Sequence, residues 1–198
     1  MSVSRPITHL LYLHGFRSSP KSNKARRLGE MIADRHPGVV WWCPQLPASP
    51  REAMQLVTQG IADWPHISMA VVGSSLGGFY ASWVADQTGC KSVLLNPAVN
   101  PARDLAQYIG QHSLWHDPAE RFFFREEFVQ QLADLSLSDL RHPERCLAVI
   151  AKGDELLDWR EMHQRYARAH VRLLEGGDHA LSDFELHLPT LLEFLALA

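Results

Sequence analysis

Two kinds of apolar pattern alternate along the chain. Six short, nearly continuous apolar runs occupy residues 8–14, 39–43, 69–72, 91–96, 145–151 and 170–175. They lack the polar alternate positions of a strand wetted on one side, and so predict strands buried on both faces, as in a parallel sheet. Between them the period lengthens. Over residues 22–35, Ala25, Leu28, Met31 and Ile32 share one helical face, and His36-Pro37-Gly38 closes the segment. Ser49-Pro50-Arg51-Glu52 has the spacing of a capping box with proline at the first helical position, and predicts a helix to about residue 63. Phe79 to Ala85 continues a third helix. Strands separated by helices require parallel pairing through right-handed crossovers. The expectation is therefore an α/β fold: one six-stranded, doubly wound parallel sheet with helices on both faces, in a single domain over residues 1–198.

One connection is too long for this scheme. Residues 97–144 separate the fourth and fifth strands, whereas a plain crossover needs about a dozen residues. Asn100-Pro101 and Asp117-Pro118 each read as an N-cap followed by proline, which predicts two or three short helices enclosing Phe122-Phe123-Phe124. An insertion at the carboxyl side of a parallel sheet covers the crevice where ligands of such folds bind. Residues 101–140 are therefore expected to form a short helical cap; the alternative is a packed excursion with no part in binding.

The 69–72 strand runs into Gly73-Ser74-Ser75-Leu76-Gly77, a Gly-x-Ser-x-Gly elbow that turns the serine hydroxyl outward between strand and helix. By itself the motif is weak, since three fixed positions match by chance in roughly 6% of chains of this length. The strand before it and the helix after it supply the context it needs. A serine hydroxyl requires a base, and the base an orienting carboxylate. His179 lies in the glycine-rich loop after the last strand, and Asp154 directly after the fifth. The order Ser75, Asp154, His179 is that of α/β-hydrolases. Asp154 comes first on the strand-exit loop and is preferred over Asp158, which also reads as a helix N-terminal residue, and over Asp178, which is too close in sequence to His179 to turn back onto its ring. Donors to an oxyanion are expected from the backbone N–H groups of Leu76 and of Phe16, the latter in His14-Gly15-Phe16 after the first strand. His14 is expected to brace that loop. From the insertion, Trp115, Phe122, Phe123 and Phe124 bring aromatic surface above Ser75, with at least one ring facing the crevice. Trp115 and Phe123 are the substrate-binding candidates.

Composition limits the alternatives. With 46% apolar residues and a formal charge of −3, the 198-residue chain can bury one substantial core and offers no basic surface for nucleic acid. No apolar run reaches the length of a membrane span, and residues 7–13 are too short for a signal-peptide core. Cys43, Cys90 and Cys146 are odd in number and each borders an apolar run, which reads as buried free thiols in a reducing, cytoplasmic setting rather than a disulfide or metal site. Lys21, Lys24, Arg26 and Arg27 follow the oxyanion loop, as a solvated helix face or as a patch favouring an anionic leaving group.

The blocks LYLHGFRSSPKSNKA at 11–25, GSSLGGFYA at 73–81, LLNPA at 94–98, GDELLD at 153–158 and GGDH at 176–179 together resemble the YqiA-type esterase family of small α/β-hydrolases. The resemblance spans nearly the whole chain. It implies a compact six-stranded member lacking the first antiparallel strands of larger relatives. It also implies hydrolysis of carboxylic esters or acyl thioesters without metal or cofactor. Three readings stand at this point: a serine esterase or thioesterase for short to medium acyl groups; a peptidase or C–C bond hydrolase with the same machinery; and a binding protein on a hydrolase scaffold.

Overall fold

The structure, a computed structural model, describes residues 6–197. The main sheet is built from β1 (His9–Leu13), β2 (Val40–Trp42), β3 (Met69–Ser74), β4 (Lys91–Leu95), β7 (Cys146–Ala151) and β8 (His170–Leu174), while β5 (Gly110–Ser113) and β6 (Arg121–Phe124) lie in the insertion. The strands lie in the order β2-β1-β3-β4-β7-β8 and every pairing is parallel. The crossovers carry α1 (Asn23–Arg35), α2 (Pro50–Gly60), α3 (Leu76–Thr88) and α6 (Trp159–Arg165), and α7 (Leu188–Leu195) closes the described chain.

The strand period of two divides the core into two halves. Leu11, Leu13, Val71, Leu94, Ala148 and Ile150 face one layer of helices, whereas their neighbours Leu10, Tyr12, Val72, Val93, Leu95 and Val149 face the other. Ala25, Leu28 and Ile32 of α1 seal the second half. One half of the expected capping box opens α2: the Ser49 hydroxyl accepts from the Glu52 N–H at 3.3 Å, with Pro50 at the first helical position. β2 is less buried than its composition suggests, because the strand order leaves it at an edge with one neighbour.

The insertion departs from the helical expectation. It begins as expected with α4 (Pro101–Leu105) and ends in α5 (Glu126–Asp134), but between them β5 (Gly110–Ser113) and β6 (Arg121–Phe124) form an antiparallel hairpin. Asp117-Pro118 lies in its loop, where the Asp117 carboxylate accepts from the Ala119 N–H and makes a turn rather than a helix start. On β6 the side chains alternate: Phe124 is buried, Phe123 is 56% exposed, and Phe122 returns to the buried side.

Candidate active site

The carboxyl ends of β3, β7 and β8 bring together Ser75, Asp154 and His179. Ser75 takes φ 57° and ψ −121°, a backbone region that costs a residue with a side chain about 1–3 kcal/mol. The surrounding chain holds it there: its N–H donates to the Leu95 carbonyl at 3.0 Å, and its carbonyl accepts from the N–H groups of Gly78 at 2.9 Å and Ala98 at 3.0 Å. The turn is tight enough to require its glycines. A Cβ on Gly77 would lie 2.0 Å from the Leu13 carbonyl oxygen, and one on Gly73 would lie 2.1 Å from the Gly77 carbonyl oxygen.

Two hydrogen bonds join the three side chains. His179 Nδ1 lies 2.8 Å from Asp154 Oδ2, and His179 Nε2 lies 2.9 Å from Ser75 Oγ. A carboxylate can only accept, so Nδ1 carries the proton and Nε2 is left to accept from the serine hydroxyl. The Asp154 side chain is fully buried. Burial of a carboxylate is costly unless its lone pairs are engaged, and here Oδ1 accepts from the N–H groups of Leu156 at 2.9 Å and Leu157 at 2.8 Å. Asp158 is elsewhere, capping α6 by accepting from the Arg160 N–H. The Asp178 carboxylate turns to Ser182, whose hydroxyl and N–H hold it below the usual carboxylate range.

The N–H groups of Phe16 and Leu76 find no acceptor among the described residues. The loop carrying Phe16 passes close to the serine, since a Cβ on Gly15 would lie 3.2 Å from Ser75 Cβ. Two unengaged backbone donors beside the hydroxyl are what a developing oxyanion needs.

Comparison with known proteins bears on the family and the fold. The model of an uncharacterised protein family, UPF0227, matches residues 9–196. The chain belongs to the UPF0227 family. A UPF0227 protein of Yersinia enterocolitica is 26% identical over 198 residues, covering 95% of this chain and 99% of its own length. Mouse alpha/beta hydrolase domain-containing protein 10 superimposes with a TM-score of 0.72 at 15% identity, over 94% of this chain and 90% of its own. Est1E from Butyrivibrio proteoclasticus, solved with ferulic acid bound, gives a TM-score of 0.72 at 14% identity, over 96% of this chain and 89% of its own. The fold of this UPF0227 chain is thus that of the α/β-hydrolases.

A cavity of about 320 Å³ opens beside the two free donors. Phe16, Leu46, Leu76, Tyr80, Leu114 and Phe122 make its apolar walls, and Arg17, Gln45 and Glu120 bring polar groups to it. Neither substrate-binding candidate is among its walls. Trp115 is 64% exposed and lies under the Arg17 guanidinium, 4.0 Å from its ring centroid, while Phe123 points away on the outer face of β6. The ring that the insertion does aim at the cavity is Phe122, which packs edge-on against Phe16 together with Phe124. Leu46 and Gln45, from the loop after β2, were not singled out from the sequence. Their only signal is Pro44 and Pro47 on either side of them, which mark an ordered loop at the carboxyl edge.

The basic residues after the loop carrying Phe16 are partly committed within the chain. Lys24 donates to the Ala180 carbonyl, and Arg27 pairs with Glu185, so α1 is tied to the segment that follows His179. Burial pushes the Lys24 ammonium down to about 8, against the attraction of Asp178 and Asp154. Among the described residues the three cysteines are free; Cys90 and Cys146 are buried and Cys43 is half-buried. Desolvation raises their thiols to about 11, 11 and 12 respectively. No helix among the described residues is long and apolar enough to cross a membrane.

His14 braces the loop, as its position suggested. Its Nε2 accepts from the Leu46 N–H at 3.0 Å and its Nδ1–H donates to the Gly15 carbonyl at 3.0 Å, so the neutral ring joins the loop carrying Phe16 to the cavity wall. Burial is the main cause that lowers it from 6.5 to about 4. Between those values the unfolded chain holds a proton that the folded chain lacks, so this group's contribution to stability falls as pH drops through the window. Chemical denaturation of wild type and His14→Gln at pH 4.5, 5.5 and 7.5 is expected to show a difference that narrows toward the acid end. A constant difference would contradict the assignment.

Proposed function

We propose that the chain is a serine hydrolase of short to medium acyl esters or acyl thioesters. The observation that carries this reading is the continuous hydrogen-bonded chain from Asp154 through His179 to Ser75. Ser75 Oγ attacks the acyl carbon as His179 Nε2 takes its proton, and the imidazolium is stabilised by Asp154 across 2.8 Å. The N–H groups of Phe16 and Leu76 receive the oxyanion. Collapse of the tetrahedral intermediate returns the proton from His179 to the leaving alcohol or thiol. Water, deprotonated by His179, then attacks the acyl-enzyme and regenerates Ser75.

The position of the cavity supports an acyl-binding role for it. A leaving group must depart beside the proton on His179, whereas the cavity lies on the Phe16 and Leu76 side and His179 is not in its wall. At about 320 Å³ it is near the lower end of the roughly 300–1,000 Å³ usual for small-molecule sites. Acyl groups are therefore expected to gain up to about fourfold in kcat/KM for each methylene that is buried, and nothing for those that project beyond the wall. Phe122→Ala enlarges the cavity and is expected to move the preferred acyl length upward, while Phe123→Ala leaves it unchanged. The measurement is kcat/KM over an acyl-length series; an optimum untouched by Phe122→Ala would remove that ring from the specificity wall.

The reading as a whole is tested by exposing the chain to a fluorophosphonate probe and to a panel of small esters, thioesters and amides. Labelling confined to Ser75, with turnover of esters or thioesters, is expected. A chain that neither labels nor turns over any member is a binding protein on this scaffold, and preferential turnover of amides would make it a peptidase.

A further inference from the structure

Asn96, at the carboxyl end of β4, is fully buried and takes φ 41°, a left-handed conformation unusual for any residue but glycine. It sits among all three parts of the triad without touching the reacting atoms. Its Nδ2 donates to the Asp178 carbonyl at 3.0 Å and to the His179 carbonyl at 3.2 Å. Its Oδ1 accepts from the N–H of Ala151, three residues before Asp154, at 2.8 Å. Its own N–H donates to the Val149 carbonyl at 2.9 Å. The two residues flanking the Asn96-Pro97 pair complete the connection: the Leu95 carbonyl holds the Ser75 N–H and the Ala98 N–H holds the Ser75 carbonyl, each at 3.0 Å. A side chain with two donors and an acceptor, on a backbone that tolerates left-handed geometry, meets this requirement. Leucine or serine would leave buried backbone groups without partners.

We propose that Asn96 is a positioning residue for the triad, its amide setting the backbone of the His179 loop relative to the ends of β7 and β3 so that Nδ1 meets Asp154 and Nε2 meets Ser75. The inference rests on the hydrolase reading of this site. It adds that the geometry of the base is imposed by a side chain from a strand that carries no catalytic group. The histidine loop is glycine-rich and lies at the surface, and Gly177 in it takes φ 86°; Asn96 restrains it from below, and Lys24 from α1 holds the next carbonyl, that of Ala180.

Two variants separate this role from simple filling of the core. Asn96→Gly keeps the backbone conformation and the N–H to Val149 but removes all three side-chain bonds. Asn96→Asp keeps the volume and the acceptor for Ala151, and places an oxygen instead of a donor against the Asp178 and His179 carbonyls. Misplacement of a catalytic group by about 1 Å costs on the order of 100-fold, so each variant is expected to lose about that factor in kcat. KM should stay within about threefold of wild type, because the cavity is untouched. A low-field proton resonance of His179 Nδ1–H is expected in wild type, and is expected to shift or vanish in both variants. A folded variant with kcat near that of wild type, or a loss carried by KM alone with the resonance unmoved, overturns the proposal; where one variant fails to fold, the other decides. Should wild type itself turn over no acyl substrate, the hydrolase reading fails, and the resonance alone still reports whether Asn96 sets the contact between His179 and Asp154.

Discussion

Ser75→Ala is expected to leave the fold intact and to lower turnover of a small activated ester by about 10⁴- to 10⁶-fold, the usual cost of removing a triad nucleophile. The Ser75 hydroxyl bonds only to His179 Nε2 among the described residues, so its loss exposes no buried group without a partner. Alanine retains the Cβ, and the backbone bonds that hold position 75 in its strained turn do not involve the side chain. The fold should therefore survive, with an unchanged thermal transition as the control. What remains is the ability of the Phe16 and Leu76 N–H groups to bind a carbonyl oxygen. Turnover within tenfold of wild type would place the nucleophile elsewhere.

Asp154→Asn is expected to cost about 10⁴-fold, by enforcing the wrong tautomer of the base. The structure indicates which way the new amide must face. Oδ1 accepts from two backbone N–H groups, those of Leu156 and Leu157, so the amide oxygen is held on that side and the NH₂ is turned toward His179. Facing a donor, Nδ1 must become the acceptor. The ring proton moves to Nε2, where it opposes the Ser75 hydroxyl instead of receiving its proton. Asp158→Asn retains a side-chain oxygen to cap α6 and is expected to leave kcat/KM essentially unchanged. Side-by-side kcat/KM values for the two variants test the assignment, and a larger loss in Asp158→Asn would transfer the orienting role.

The sheet was legible from the sequence because each strand is a short apolar run and each crossover has helical periodicity, both of which are local signals. The elbow was legible for the same reason: its glycines answer to contacts with Leu13, Gly77 and Ala81, and the need for a small residue shows in the chain even when the neighbour does not. The insertion was misread where local signals are ambiguous. In Phe122-Phe123-Phe124 three aromatic residues in a row conceal the period of two that a strand would show, and Asp-Pro suits a turn as well as a helix start. The sequence therefore points to Phe123 and Trp115 for the substrate, whereas the alternation along β6 turns Phe122 to the cavity and Phe123 outward, and Trp115 lies exposed in the hairpin loop.

The sequence by itself determined that the chain forms a parallel, doubly wound sheet, and that a serine, an aspartate and a histidine stand at strand ends in the order of an α/β-hydrolase. Only the tertiary structure decided the strand order, the hydrogen bonds that hold the Asp154 carboxylate, the wall of the cavity and the place of Asn96 under the histidine loop. The physical reason is the range of the interactions. Periodicity, capping and glycine requirements act within one element and leave their mark on adjacent residues. The hydrogen bonds from Asn96 to His179, from Ser75 to His179 and from Leu46 to His14 join residues 83, 104 and 32 positions apart. They exist only once six strands have brought their carboxyl ends to one edge.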